Sequence, residues 1–335
     1  MKIGELGEFG LISRIASSVA DGEGVITGIG DDAAVTALSP GMQLLTSTDM
    51  LLEGVHFRHS WHDPYRLGRK SLAVSISDIA AMGGIPRWAL LSLAVPHDSS
   101  LEFLDAFTRG FLDLAAEHGV ALIGGDTCSS RAGLAISVTI MGEQKPERIV
   151  RRGGAQPDDD IWVTGTLGDA ALALASLEKG AFPSTLTAQE KEYLASRLLD
   201  PSPRTEVGRA LAEAGLISAM IDVSDGLLAD FGHIAEQSGF GGTIRLDTLP
   251  LSPVLRAVSP PHSLSSHDFA LAGGEDYELA FTAPAAHREK IVQLMKKSGI
   301  GAQPVGIVTA SPGVTAVLAD GSTYAPQSRG YNHFT

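Results

Sequence analysis

Apolar residues recur along this chain with two periods, and the changes between them divide it into elements. Leu11, Ile12, Ile15 and Val19 fall at helical spacing and predict a short helix within residues 1–20. Residues 41–48 read as a strand running into a loop. Asp63 followed by Pro64 predicts a helix start, the aspartate capping free amides and the proline taking the first helical position. Residues 88–95 read as a buried strand. From 100 to 118, Leu101, Leu104, Phe107, Phe111, Leu112 and Ala115 form one face of an amphipathic helix that Gly119 closes. A short strand at 121–123 follows. Leu134, Ile136, Val138 and Ile140 then alternate with smaller residues, predicting a strand with one well-filled face.

The pattern breaks at 142–160, where EQKPERIVRRGGAQPDDD is polar, basic then acidic, and rich in turn residues. A domain boundary is expected there, with an N-terminal domain at 1–145 and a C-terminal domain at 146–335. The second half reads as a strand at 161–164, helices at 168–179, 188–199 and 204–214, and a strand at 219–222. A helix at 227–237, strands at 243–246 and 277–281, a helix at 285–297 and strands at 305–308 and 314–318 complete it. The tail, 324–335, has little apolar content yet carries Tyr331, His333 and Phe334. The expected fold class is α+β in two domains, a mixed N-terminal domain and a C-terminal α/β domain.

Composition changes this picture in three places. At 335 residues the chain is too long for one ordinary core, and 44 % apolar with 19 % charged residues is a globular balance. A net charge of −14 does not suit non-specific nucleic-acid binding. If the ligand is an anion, positive charge must come from elsewhere, and metal ions are the obvious source. Cys128 is the single cysteine, which excludes an internal disulfide and a thiolate zinc cluster. It is expected to be chemically passive. No apolar leader and no apolar run of about 20 residues is evident, so no membrane partner is expected and the cytoplasm is the expected location.

The candidate chemistry lies in carboxylates that share one context, an apolar or small-residue run, then an acid, then Gly or Ala. These are GIGDDAA with Asp31 and Asp32, LLTSTDM with Asp49, VSISDIAAMGG with Asp78, LIGGDT with Asp126, MIDVSDG with Asp222 and Asp225, and LAGGEDYEL with Glu275 and Asp276. Any one of them alone reads as a helix cap or turn residue. Together they fit that explanation poorly, because caps do not need glycine on their N-terminal side. Carboxylates gathered in one place repel unless cations bind between them, and hard oxygen ligands of this kind select Mg²⁺. Gly28-Ile29-Gly30-Asp31-Asp32-Ala33 matches a loose dinucleotide loop, but two aspartates there would repel a pyrophosphate. The spacing of His56, His59 and His62 fits no common zinc pattern, and no phosphate-binding G-x-x-x-x-G-K-[ST] loop is present.

In order along nearly the whole chain, GEFGLI, GIGDDAAV, TSTDMLLEGVHF, LAVSISDIAAMGGIP, LIGGDT, RRGGAQPDDDIWVTGTLGDAA, PSPR, IDVSDGLLADFGHI, GGEDYEL and GYNHF resemble the thiamine-monophosphate kinase family. That family sits in a wider ATP-using superfamily with aminoimidazole-ribonucleotide synthetase, selenophosphate synthetase and a hydrogenase maturation factor. The resemblance implies transfer of a phosphoryl group from ATP to thiamine monophosphate, giving thiamine diphosphate. It implies that Asp32, Ser47, Thr48, Asp49, Asp78, Asp126, Asp222 and Asp225 hold a cluster of Mg²⁺ ions. It places Gly125, Asp126, Arg152 and Ser224 on ATP, and His56, Glu275 and Tyr331 on the thiamine phosphate. No covalent nucleophile or general base is implied. The implied architecture is a homodimer formed through N-terminal strands, with a C-terminal domain closing over the site. Asn332 stands where the family tail often carries Asp. Two other readings remain open: a different ATP-activating synthetase of the superfamily, and a nucleotide-binding regulator without turnover. Selenophosphate synthetase fits less well, because no cysteine lies in the N-terminal segment.

Overall fold

A computed structural model of the chain describes residues 3–20, 22–258 and 266–332. The chain divides into two compact units, residues 1–79 with 84–147, and residues 80–83 with 148–335.

In the first unit, α1 (Ile3–Ala16) precedes a two-stranded sheet of β1 (Val25–Thr27) and β2 (Val35–Thr36). The strands β3 (Gln43–Leu52), β4 (Ile85–Pro96), β5 (Ala121–Ser130) and β6 (Ala135–Gln144) form a four-stranded sheet in the order β3-β6-β4-β5, with only β4 and β5 parallel. Two helices, α2 (Pro64–Ala81) and α3 (Leu101–Glu117), carry the apolar faces of this unit. The first begins at the cap its sequence announces, Asp63 accepting from the Arg66 amide at 3.0 Å, and the second begins at Ser100, which accepts from the Phe103 amide at 3.1 Å. Leu67, Leu72 and Ile76 of α2 and Phe107 and Phe111 of α3 are fully buried, as are Ile136, Val138 and Ile140 of β6.

Two strands run further than the apolar pattern predicts. β3 does not stop at Thr48 but pairs with β6 from Gln43↔Gln144 to Leu52↔Ala135. β5 does not stop at Ile123 but continues through GGDT to Ser130, in parallel register with β4. Both continuations are polar or glycine-rich, so their strand character comes from the neighbouring strand and not from propensity. Asp49 and Asp126 therefore sit inside strands, where strand ends or loops were expected.

In the second unit, β7 (Asp160–Thr164), β8 (Ala219–Val223), β9 (Gly241–Arg245), β10 (Glu278–Ala283), β11 (Ala302–Thr309), β12 (Gly313–Val317) and β13 (Thr323–Tyr324) make a seven-stranded sheet ordered β13-β12-β9-β11-β7-β10-β8. Strand alternation sorts its apolar residues onto two faces. Ile161, Val163, Ile221 and Val223 pack with Phe231 and Ile234 of α7 (Leu227–Ser238) and with Ala270 and Leu271 of α9 (Ser266–Ala272). Trp162, Met220 and Phe281 pack on the other face with Val207 and Leu211 of α6 (Thr205–Ala214) and with Ile291 and Met295 of α10 (Arg288–Ser298). Trp162 and Phe281 are cross-strand partners and stack at 5.9 Å. The helices α4 (Asp169–Glu178), α5 (Ala188–Leu199) and α8 (Pro253–Ala257) complete the unit. Among the described residues no helix is long and apolar enough to cross a membrane.

Candidate functional site

Along β3 the side chains of Leu45, Ser47, Asp49 and Leu51 alternate onto the face covered by α2. The outer two are buried leucines, so the polar pair between them is placed by the same alternation that fills the core. Ser47 donates its hydroxyl to the Asp78 carboxylate of α2, and Ser75, one turn earlier on α2, donates to Asp49 at 2.7 Å. Burial, then the neighbouring charge of Asp78, push Asp49 up to about 6, against the opposing pull of the Ser75 hydrogen bond. Ser47, Ser75, Asp49 and Asp78 thus form a compact set of hard oxygen donors with more negative charge than its own hydrogen bonds offset. That is the condition a divalent cation relieves.

The other residues expected around the metal do not all join this set. Thr48 points to the opposite face of the sheet and bonds the Thr139 hydroxyl at 3.0 Å and the Val138 carbonyl at 3.2 Å. Any part it takes beside Asp49 falls to its backbone. Register separates Asp126 as well. Asp49, Val138, Leu91 and Gly125 form one row across the sheet, and Met50, Ser137, Ser92 and Asp126 the next. Successive rows face opposite ways, so Asp126 shares the exposed face with Met50 and not the covered face with Asp49. The two strands lie three strand spacings apart, about 14 Å. Gly125 is required where it stands, since a Cβ there would lie 1.8 Å from the Leu91 carbonyl oxygen. Asp32, like Asp31, is exposed in the turn that joins β1 to β2, and its amide donates to Asp31 at 2.8 Å. Cys128 is exposed two residues beyond Asp126.

His56 follows β3 and is held by its ring, whose Nδ1 accepts from the Leu52 amide at 2.9 Å. The neutral ring therefore carries its proton on Nε2. The other two histidines of that segment have different surroundings. His59 lies 3.3 Å from Glu53 and edge-on to Phe103, while His62 is buried edge-on against Phe57.

In the second unit, Asp222 ends buried on β8, opposite Leu279, and Ser224 and Asp225 form the turn that leads into α7. The segment 273–277 runs beside that turn. Glu275 and Tyr277 hold φ of 73° and 49°, a conformation costly for residues with a Cβ, and their amides donate to the carbonyls of Ser224 and Val223, both at 2.8 Å. Because Tyr277 adopts that conformation, β10 begins at Glu278 and not, as the pattern predicts, at Tyr277. Behind it, Glu278 is fully buried between Arg197 and Arg204, and Asp276 accepts from the Gly168 amide at 2.8 Å. Burial holds Asp276 well above the usual carboxylate range despite the nearby Arg197.

Tyr331 is half-exposed, and its amide donates to the Asp225 carbonyl at 3.0 Å. His333 and Phe334 lie outside the described residues. Arg152 is exposed ahead of β7. Ser224, Asp225, Glu275 and Tyr331 are thus brought together around one turn. Among the described residues no three His, Cys, Asp or Glu side chains form a ready-made metal cage. One residue of this region went unread in the sequence. Asp230, in the first turn of α7, is buried and accepts the amides of Ser224, Asp225 and Gly226. Its only signal is an acid in the first turn of a helix, which elsewhere marks nothing more than favourable dipole placement.

Residues 30–144 match the N-terminal domain of the AIR synthase related proteins, and residues 156–319 match the C-terminal domain. The thiamine-monophosphate kinase of Escherichia coli K12 is 39 % identical over 330 residues, covering 98 % of each chain. The crystal structure of the thiamine-monophosphate kinase from Stenotrophomonas maltophilia superimposes with a TM-score of 0.83 at 40 % identity, covering 94 % of this chain and 96 % of that one. A related chain solved as AaThiL complexed with AMPPCP and TMP gives a TM-score of 0.76 at 32 % identity, covering 100 % and 99 %. On these grounds the chain belongs to the thiamine-monophosphate kinases, phosphotransferases within the AIR synthase related proteins.

Proposed function

We propose that this chain transfers the γ-phosphoryl group of ATP directly to thiamine monophosphate, with Mg²⁺ held by aspartates and no phospho-enzyme. The observation that carries the reading is the Asp49–Asp78 pair, set side by side among serine hydroxyls on the covered face of β3. Mg²⁺ ordinarily takes one or two carboxylates and completes its shell with water and substrate phosphates, so a pair of this kind needs no protein cage of three acids. In the first unit Asp49 and Asp78, with Ser47, would hold Mg²⁺, and in the second unit, taken by itself, Asp222 and Asp225 would do so. Bound there, it would supply charge neutralisation between two anionic substrates.

The chain's own residues do the rest. A phosphate monoester has a second pKa of about 6, so the acceptor oxygen is already ionised and no residue has to remove a proton from it. The obstacle is orientation. Gly125, Asp126, Arg152 and Ser224 are assigned to the nucleotide. Gly125 suits this because it is exposed. His56, with its Nε2–H directed by the Leu52 bond, is assigned to the thiamine phosphate as a donor. Glu275 would face the positive charge of the thiazolium, and Tyr331 would stack on the ring. The related chain solved with AMPPCP, an ATP analogue, and TMP supports this pairing of ligands.

The chain acts as a homodimer in this reading, joined through the edge strand β3. Leu44, Met50 and Leu52 on its outer face, with Val55 beyond, are 50 %, 59 %, 37 % and 54 % exposed, a run of apolar side chains that an edge strand rarely leaves to water. The test of function is an acceptor comparison with ATP and Mg²⁺. ADP should form with thiamine monophosphate and yield thiamine diphosphate. ADP formed equally well without acceptor, or only with a ribonucleotide substrate, would assign the chain to another chemistry of the superfamily.

A further inference from the structure

The turn at 223–226 is bonded on both of its sides. Outward, its carbonyls accept from other segments: Val223 from Tyr277, Ser224 from Glu275, and Asp225 from Tyr331, at 2.8, 2.8 and 3.0 Å. Inward, the amides of Ser224, Asp225 and Gly226 converge on a single oxygen, Oδ2 of Asp230, at 3.0, 3.0 and 3.1 Å. Asp230 is 3 % exposed and belongs to α7, whose Phe231 and Ile234 are anchored in the core. The carboxylate is therefore rigid, and the turn is fixed to it at three consecutive peptide units. The tail follows the same frame. Gly330 approaches so closely that a Cβ there would lie 2.9 Å from the Asp225 carbonyl oxygen and 2.5 Å from the Ala229 Cβ.

We propose that Asp230 is a positioning residue for Ser224, Asp225, Glu275 and Tyr331, acting through the backbone of residues 223–226. By fixing three amides it fixes the orientation of the same peptide units' carbonyls. Those carbonyls place Glu275 in its unfavourable conformation and hold the tail at Tyr331. The turn also carries Ser224 and Asp225, so one buried carboxylate sets the geometry toward nucleotide, metal and thiamine phosphate together. The inference rests on the assignments proposed above, but Asp230 itself touches no substrate. It predicts coupling: disturbing Asp230 perturbs the segments at Glu275 and Tyr331, far away in sequence, all at once.

The experiment uses the full chain as wild type, Asp230→Asn, Asp230→Ala and Gly330→Ala. Amide hydrogen exchange is read by mass spectrometry, and Michaelis constants and Mg²⁺ half-saturation are read by assay. Asn keeps an oxygen where Oδ2 stands and can accept the same three amides, whereas Ala leaves three amides without that acceptor, the one at Gly226 buried. Asp230→Ala should accelerate exchange about ten-fold or more in peptides covering 224–226, 275–277 and 331, with β9, β11 and β12 unchanged. It should also raise both the Michaelis constant for thiamine monophosphate and the Mg²⁺ half-saturation by about ten-fold. Asp230→Asn should stay within about three-fold of wild type in every readout. Gly330→Ala should weaken thiamine monophosphate alone and leave exchange at 224–226 unchanged. Uniform acceleration across the unit, no acceleration, a lowered melting temperature with both constants intact, or an Asn variant as impaired as Ala would overturn the proposal. So would loosening of 224–226 by Gly330→Ala, which would make the tail the support and the turn the supported part. If Asp230→Ala does not fold, the Asn and Gly330→Ala arms decide. A wild type that forms no thiamine diphosphate refutes the functional reading instead, and the exchange data then judge Asp230 by themselves.

Discussion

Asp49, proposed above as a ligand of Mg²⁺, carries that proposal at the scale of one residue. It is flanked on its face of the strand by Ser47 and the buried Leu51 and lies beside a second carboxylate, so its ionised form is costly until positive charge arrives. Asp49→Asn keeps the shape and the Ser75 contact while removing that charge. The variant should fold with a melting temperature at or above that of the metal-free wild type, yet lose about a thousand-fold in turnover at saturating Mg²⁺. Circular dichroism and steady-state assay separate the two effects, and wild-type turnover in the variant would remove Asp49 from the site. Tyr331→Ala tests the substrate end. A stacking contribution of about 0.5–2 kcal/mol corresponds to a rise of a few-fold to roughly thirty-fold in the Michaelis constant for thiamine monophosphate, with that for ATP unchanged. Equal losses for both substrates would make Tyr331 a structural plug. At this scale the sequence singles out residues by their unusual neighbours, as in the glycine and serine flanks of Asp126 and Asp225. It was silent on Asp230, whose role depends on three amides that no side-chain pattern records. It was also silent on which way Thr48 and Asp126 face, because facing is a matter of register.

Elements were legible in proportion to their apolar periodicity. α3, β4 and β6 announce themselves because one face of each is filled, and α2 because Asp63 and Pro64 mark its start. The polar half of β3 and the glycine-rich half of β5 were not legible, since those strands exist through pairing with β6 and β4. The loop from β3 to α2 supplies a test of the packing. His62 is buried there, and burial, followed by repulsion from Lys70, pushes its imidazole down to about 3 from the ordinary 6.5. Below the unfolded value the unfolded chain takes up a proton that the folded chain refuses. Stability is therefore lost as pH falls from 6.5 toward the folded value, by about 1.4 kcal/mol per pH unit. His62→Leu removes that liability at similar volume. Between pH 6.5 and about pH 5, wild type should lose about 2 kcal/mol more stability than the variant in urea titrations. Parallel pH profiles would show that His62 is protonated in the folded state.

For the whole molecule, the outer face of β3 and the position of Asp126 bear on the same question. Asp126 lies in the row of Met50, on the exposed face of the sheet, although sequence alone groups it with Asp49. A second copy seated along β3 would cover Leu44, Met50 and Leu52 and bring that face into a protein environment. Met50→Asp should convert the proposed dimer to a monomer in sedimentation velocity, because a charge on an apolar patch that a partner buries is not accommodated. A wild-type chain that sediments as a monomer at micromolar concentration would remove the homodimer from the account. The proposed transfer from ATP to thiamine monophosphate in one displacement is tested most directly by the stereochemistry at phosphorus. ATP made chiral at the γ-phosphorus with oxygen isotopes is turned over with thiamine monophosphate and Mg²⁺, and the terminal phosphoryl group of the thiamine diphosphate is analysed. A single in-line transfer predicts inversion of configuration. Retention, or thiamine diphosphate that carries none of the labelled phosphoryl group, would contradict it.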